Sequence, residues 1–107
     1  MKGMVRWMGD SRFEALTEEG GKIIFGENGI SPMKTLLLSV AGCTSIDVVM
    51  ILQKMREPLE HLEVEISGER REEHPRIYTR VHIHYKIYGD VNEEKAKRAI
   101  ELSQEKY

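Results

Sequence analysis

Few residues in this 107-residue chain can do chemistry. They are a single cysteine, Cys43; a carboxylate four positions later, Asp47; and two histidines at alternate positions, His82 and His84. A cysteine reacts as its thiolate, whereas a thiol lost in an apolar run is a small core residue. Asp47 would lie one helical turn from Cys43 on the same face, and its negative charge disfavours a neighbouring thiolate, so a reactive Cys43 requires a cation. Gly42 weakens a helix interior by about 1 kcal/mol, and a helix break there would place Cys43 at a fresh helix N-terminus, where free N–H groups favour thiolate.

His82 and His84 have the spacing of two metal ligands on one strand, with His61 and His74 elsewhere in the chain. No third ligand is fixed by the pattern, and glutamates from a facing strand could pair both rings. A solvated charged face is the better account, so neither a metal nor another cofactor is expected. Trp7, Tyr78 and Tyr88 read as packing aromatics on strands.

The element that positions Cys43 is a helix expected over residues 31–56. Ser31 can cap it, Pro32 suits its first position, and Lys54 and Arg56 complement the dipole at its end, with Pro58 just beyond. Met33, Leu36, Leu37, Val40, Thr44, Asp47, Val48, Ile51, Leu52 and Met55 recur at three- and four-residue steps, while Leu38, Ala41, Ile46, Val49 and Met50 make the other side apolar too. Such a helix is expected to be buried all round. Residues 36–52 approach the length of a membrane span, but Asp47 interrupts them and the remaining chain has the pattern of a soluble fold, so no membrane partner is expected.

Before this helix, residues 4–7, 12–17 and 22–25 read as an antiparallel meander with turns at Gly9-Asp10 and Glu19-Gly20-Gly21. After it, Leu62, Val64 and Ile66 alternate with polar residues, and Ile77, Val81, Ile83, Tyr85 and Ile87 do the same, giving two half-buried strands joined around Glu73-His74-Pro75-Arg76. To keep both apolar sets on one face, paired residue numbers must have an odd sum. A sum near 149 sets Glu63 by Lys86, Glu65 by His84, Ser67 by His82 and Glu69 by Arg80. Asp90 or Asn92 then caps a last amphipathic helix with Ala96, Ala99, Ile100, Ser103 and Tyr107 on one stripe.

Sixteen basic and eighteen acidic residues, with no basic run, leave no electrostatic footprint for nucleic acid. One cysteine excludes an internal disulfide, and Lys2, Arg6 and Asp10 interrupt any leader-like start, so a cytoplasmic location is expected. The size suits one domain over residues 1–107, with an α+β element order and a modest core that a partner subunit would extend.

At Ser31-Pro32-Met33, Leu36-Leu37-Leu38, residues 41–49 and Leu52-Gln53-Lys54-Met55, the chain resembles the OsmC/Ohr family of osmotically induced and organic hydroperoxide resistance proteins. The similarity continues through Pro58-Leu59, Leu62-Glu63-Val64, residues 75–78, residues 82–85, residues 99–103 and Lys106-Tyr107. The resemblance implies an intertwined homodimer whose central helices pack inside curved antiparallel sheets. It also implies that Cys43 is the peroxidatic thiol, oxidised by an organic hydroperoxide to a sulfenic acid within an oxidative stress response. In peroxidase members a first-sheet arginine and a glutamate near the helix start activate the thiolate, and a second cysteine resolves the sulfenic acid to a disulfide that a dithiol reopens.

Two departures from that pattern matter. Met33 and Lys34 stand where the glutamate is expected, leaving Lys34, Arg12 and Arg6 as candidate cations and Asp47 as the nearby acid. The resolving cysteine would follow Lys106-Tyr107, so the chain reads as ending before that part of the family fold and as depending on an external dithiol reductant. The alternative is a non-catalytic dimeric scaffold or small-ligand binder with Cys43 as a core residue.

Overall fold

The computed structural model describes residues 1–105, with side chains through residue 104. The stripe position assigned to Tyr107 lies outside the described residues. The chain divides into two compact units, Met1–Leu36 and residues 37 onward, and the boundary falls inside the long helix.

The first unit is a three-stranded antiparallel sheet of β1 (Gly3–Trp7), β2 (Arg12–Thr17) and β3 (Lys22–Gly26), in the order β1-β2-β3. The turn after β1 forms where the sequence allows a left-handed backbone, with φ of 97° at Gly9 and 47° at Asp10. Trp7 donates its indole N–H to the Asp10 carbonyl at 2.8 Å, which ties the turn to the strand. Because side chains alternate across a strand, the register gives the sheet two different faces. One carries the aromatic row Trp7, Phe13 and Phe25, followed by Val5, Ala15 and Ile23; the other carries Arg6, Glu14 and Ile24.

Helix α1 (Pro32–Lys54) begins and ends as its sequence dictates. The Ser31 hydroxyl accepts the Lys34 N–H at 3.1 Å, satisfying one of the donors that a helix start leaves open. At the other end Arg56 takes φ 59°, and the N–H groups of Glu57 and Arg56 donate to the carbonyls of Leu52 and Gln53. This is a Schellman closure with arginine where glycine is usual, and Pro58 prevents the helix from resuming. The helix is unbroken through Gly42 and Cys43, as the single helix expected over residues 31–56 requires, and Cys43 lies at no helix N-terminus. α1 has the length and apolarity of a membrane span.

In the second unit, β4 (Leu59–Arg70) and β5 (Tyr78–Gly89) form a long antiparallel hairpin, and α2 (Glu93–Glu105) follows. Partners sum to 149 from His61↔Tyr88 through Glu69↔Arg80, an odd sum as hydrophobic alternation required and the value that the cross-strand charge pairs favoured, with irregularities only at the two ends. Both strands extend beyond the apolar alternation at the helix side, where β4 already starts at Leu59. The connection contains a cis His74–Pro75 peptide. Asn92 rather than Asp90 caps α2, accepting the Lys95 N–H on its side chain at 3.1 Å, while Glu57 accepts the Asn92 N–H at 2.7 Å.

The core of this unit is small: Val48, Leu52 and Ala99 are fully buried, packed against Ile51, Met55, Leu59, Leu62, Tyr85, Ile87, Val91 and Ile100. Within it runs a chain of hydroxyls. Ser103 Oγ donates to the Ile100 carbonyl at 2.6 Å, which leaves it to accept from Thr44 Oγ1 at 2.8 Å, and Thr44 in turn accepts from the Tyr85 hydroxyl at 2.6 Å. The buried polar groups are thereby satisfied in one direction, linking α1, β5 and α2. Thr44→Val keeps the shape but leaves the Tyr85 hydroxyl without its acceptor. It is expected to lower unfolding free energy by about 1–3 kcal/mol in urea denaturation, and Thr44→Ser by less.

Candidate functional site

Cys43 lies in the middle of α1, and the packing of that helix decides what the thiol can meet. Ala41, Thr44, Val48 and Leu52, at steps of three and four, form the buried stripe. The opposite side is not covered by this chain: Leu36, Leu38, Val40, Ile46 and Met50 remain 53%, 54%, 43%, 62% and 49% exposed. The helix is therefore not buried all round within one chain. Cys43 is exposed on this uncovered side, a free thiol outside the chain's own core. A Cβ built on Gly42 meets nothing within 4 Å, so nothing in the single chain requires the glycine.

Asp47 follows Cys43 by one turn, as its spacing requires, and is half-buried. Its Oδ2 is shut away from solvent without a hydrogen-bond partner among the described residues. Lys34 is exposed in the first helical turn, which contains no acidic residue.

The two candidate arginines of the first sheet differ sharply. Glu14, only 4% exposed on the central strand, takes Arg6 Nε and Nη2 on its Oε1 at 2.9 and 2.6 Å, and Lys22 Nζ on its Oε2 at 2.9 Å. Arg6 stands directly opposite Glu14 in the register, so the ion pair follows from the strand pairing itself. Arg12, two residues before Glu14 on the same sheet face, has a buried Nε with no hydrogen-bond partner among the described residues. Arg6 is committed to a carboxylate, and Arg12 is not. The Glu14 network was legible only once the register of β1 and β2 was known, since Arg6 and Glu14 lie on different strands.

The polar row on the hairpin also sorts its partners. Lys86 binds Glu65 at 2.5 Å, diagonal to its register partner Glu63, and His61 meets Glu63 at 3.3 Å. Lys86 holds the Glu65 carboxyl below its ordinary value, and Glu65 raises the Lys86 ammonium. His82 and His84 are exposed on that face, and no group of three or more His, Cys, Asp or Glu suited to a metal occurs among the described residues.

The OsmC-like protein family model matches residues 25–107. The chain is similar to protein YhfA of Escherichia coli strain K12, with 38% identity over 112 residues covering 100% of this chain and 84% of YhfA. Among solved structures it resembles a hypothetical protein from Aquifex aeolicus VF5, with 36% identity and a TM-score of 0.91 over 99% of this chain and 80% of that one. The organic hydroperoxide resistance protein OhrB of Bacillus subtilis shares the fold at a TM-score of 0.62 and 14% identity, over 97% of this chain and 82% of OhrB.

Hydrogen bonds from Lys22 and then Arg6 hold the Glu14 carboxyl below its ordinary value. A lowered folded-state value means that the network contributes stability above the unfolded carboxylate range and loses it as pH falls through the folded value. Glu14→Gln is therefore expected to reduce stability at neutral pH and to flatten the acid limb of a thermal-unfolding profile measured from pH 7 downward. An acid limb unchanged by the substitution would show that Glu14 carries no pH-dependent stability.

Proposed function

The chain belongs to the OsmC-like family, and from that membership we propose that it reduces organic hydroperoxides as a homodimer with Cys43 as the attacking thiol. The observation that carries this reading is the exposure of the lone cysteine. A cysteine serving only as filler of this chain's own core would be buried in it, whereas Cys43 lies outside that core, on the α1 face that the proposed dimer shares. The organic hydroperoxide resistance protein among its structural relatives supports peroxide as the substrate class.

In the proposed reaction the Cys43 thiolate attacks the distal peroxide oxygen. An S–O bond forms and the O–O bond breaks, the alkoxide leaves and takes a proton to become an alcohol, and Cys43 is left as a sulfenic acid. Within these 107 residues Cys43 is the only thiol, so its return to the thiol state is proposed to proceed with an added external thiol. The first thiol condenses to a mixed disulfide with loss of water, and the second displaces Cys43 and emerges as a disulfide.

The unbroken helix offers Cys43 no helix terminus, so the family pattern of a first-sheet arginine acting on the thiolate is the one carried over here. We assign that role to Arg12 rather than Arg6, because Arg6 already serves Glu14 while the Arg12 Nε has no partner among the described residues. Mass spectrometry after treatment with an organic hydroperoxide is expected to find sulfenic acid, or its adduct with added thiol, at Cys43. The oxidation rate should fall at least tenfold in Arg12→Ala and change little in Arg6→Ala, as roughly the 1.4 kcal/mol of a lost charge contact requires. An unmodified Cys43 would return the protein to the class of non-catalytic scaffolds.

The uncovered side of α1 supports the homodimer. Leu36, Val40, Ile46 and Met50 form an apolar stripe that a second copy of the same helix can cover, with Gly42 permitting close backbone approach. Light scattering is expected to give a dimer, and Ile46→Asp to shift it toward monomer with reduced stability. A wild-type monomer would reject this arrangement.

A further inference from the structure

The outer face of the β4–β5 hairpin contains a chemical feature that peroxide reduction does not use. His82 and His84 share that face at alternate positions of β5, so their Cα atoms lie about 7 Å apart along the strand. Facing glutamates were expected to occupy the two rings. Instead the nearest of them is engaged elsewhere: Glu65, opposite His84, binds Lys86, and the residue opposite His82 is Ser67, which has no charge to offer. Glu63 meets His61. Neither His82 nor His84 makes a hydrogen bond or ion pair among the described residues, and both line an open groove with Glu65, Ile66 and Ser67.

We propose that His82 and His84 form a two-imidazole site for a borderline divalent transition-metal ion. Neutral imidazole nitrogen is a preferred donor for Ni2+, Cu2+ and Zn2+, at about 2.0–2.1 Å for zinc, and two rings standing on one face of a strand can converge on one ion. Glu65 adds negative charge next to His84 without being a ligand, since its carboxylate is held by Lys86. No third His, Cys, Asp or Glu is placed to join the pair among the described residues, so water fills the remaining positions. The site therefore binds Cu2+ and Ni2+ ahead of Mn2+, and excludes Mg2+ and Ca2+, which require oxygen ligands.

Ni2+ is the suitable probe, because Cu2+ can oxidise the exposed Cys43. Calorimetric titration of the whole chain with nickel chloride, in a non-chelating buffer and a Cys43→Ser background, is expected to show one saturable site per chain. His82→Gln and His84→Gln should each weaken it at least about tenfold, since losses in the outer shell of a metal site alone cost about 10–100-fold. His61→Gln and His74→Gln should leave it unchanged. Both target side chains are exposed, so circular dichroism should confirm that the variants stay folded. No saturable nickel binding, or binding that survives the double substitution of His82 and His84, overturns the proposal.

Discussion

Helix α1 is apolar around its whole circumference, and one chain cannot cover all of it. A helix with one apolar stripe can be completed by the chain that contains it, but this helix carries large apolar side chains on every side. Its own chain buries Ala41, Thr44, Val48 and Leu52 and leaves Leu36, Leu38, Ile46 and Met50 about half exposed. A large aliphatic side chain contributes about 1.5–3 kcal/mol when fully buried, and a whole domain is stable by only about 5–15 kcal/mol. Covering the second face is therefore comparable in size to the net stability of the fold. The same uncovered face bears Cys43, so what covers α1 also sets the environment of its thiol.

The buried polar groups give the apolar elements a definite alignment. Hydrophobic burial alone would tolerate α2 sliding along α1, since Ala99 and Ile100 could pack against several neighbouring positions. The hydroxyl chain through Tyr85, Thr44 and Ser103 does not tolerate it: displacement by one residue separates Thr44 from both partners and leaves buried oxygens unsatisfied. On the first sheet, Glu14 performs a comparable task by joining Arg6 on β1 and Lys22 on β3 to the central strand. Neither network requires much area, but each makes one register cheaper than its alternatives.

What was legible in the sequence was whatever rests on periodicity and local chemistry. The ends of α1 followed from Ser31, Pro32 and Pro58, and the odd sum of the hairpin register followed from keeping Leu62, Val64 and Ile66 on the same face as Ile83, Tyr85 and Ile87. Thr44 and Ser103 were visible as polar residues at apolar stripe positions, but nothing local says that two helices and a strand bring them together. The partner of Lys86 was likewise hidden, because register gives Glu63 as its neighbour while a long, flexible side chain reaches diagonally to Glu65. Gly42 left only a conditional open, that of a break, and about 1 kcal/mol is too little to interrupt a helix of 23 residues packed against a core.

That unbroken helix leaves Cys43 in mid-helix rather than at an end. At a helix start a thiolate could draw on unpaired amides, but in mid-helix those amides are already donating to carbonyls one turn earlier. Any stabilisation of negative charge there must then come from side chains, and the first turn of α1 contains no acidic residue. Glu14 simplifies the choice among cations, since by binding both Arg6 and Lys22 it removes them from competition and leaves Arg12 as the uncommitted guanidinium of that sheet face. A buried donor without a partner costs about 1–3 kcal/mol, and more when charged. The fold tolerates that cost at the Arg12 Nε.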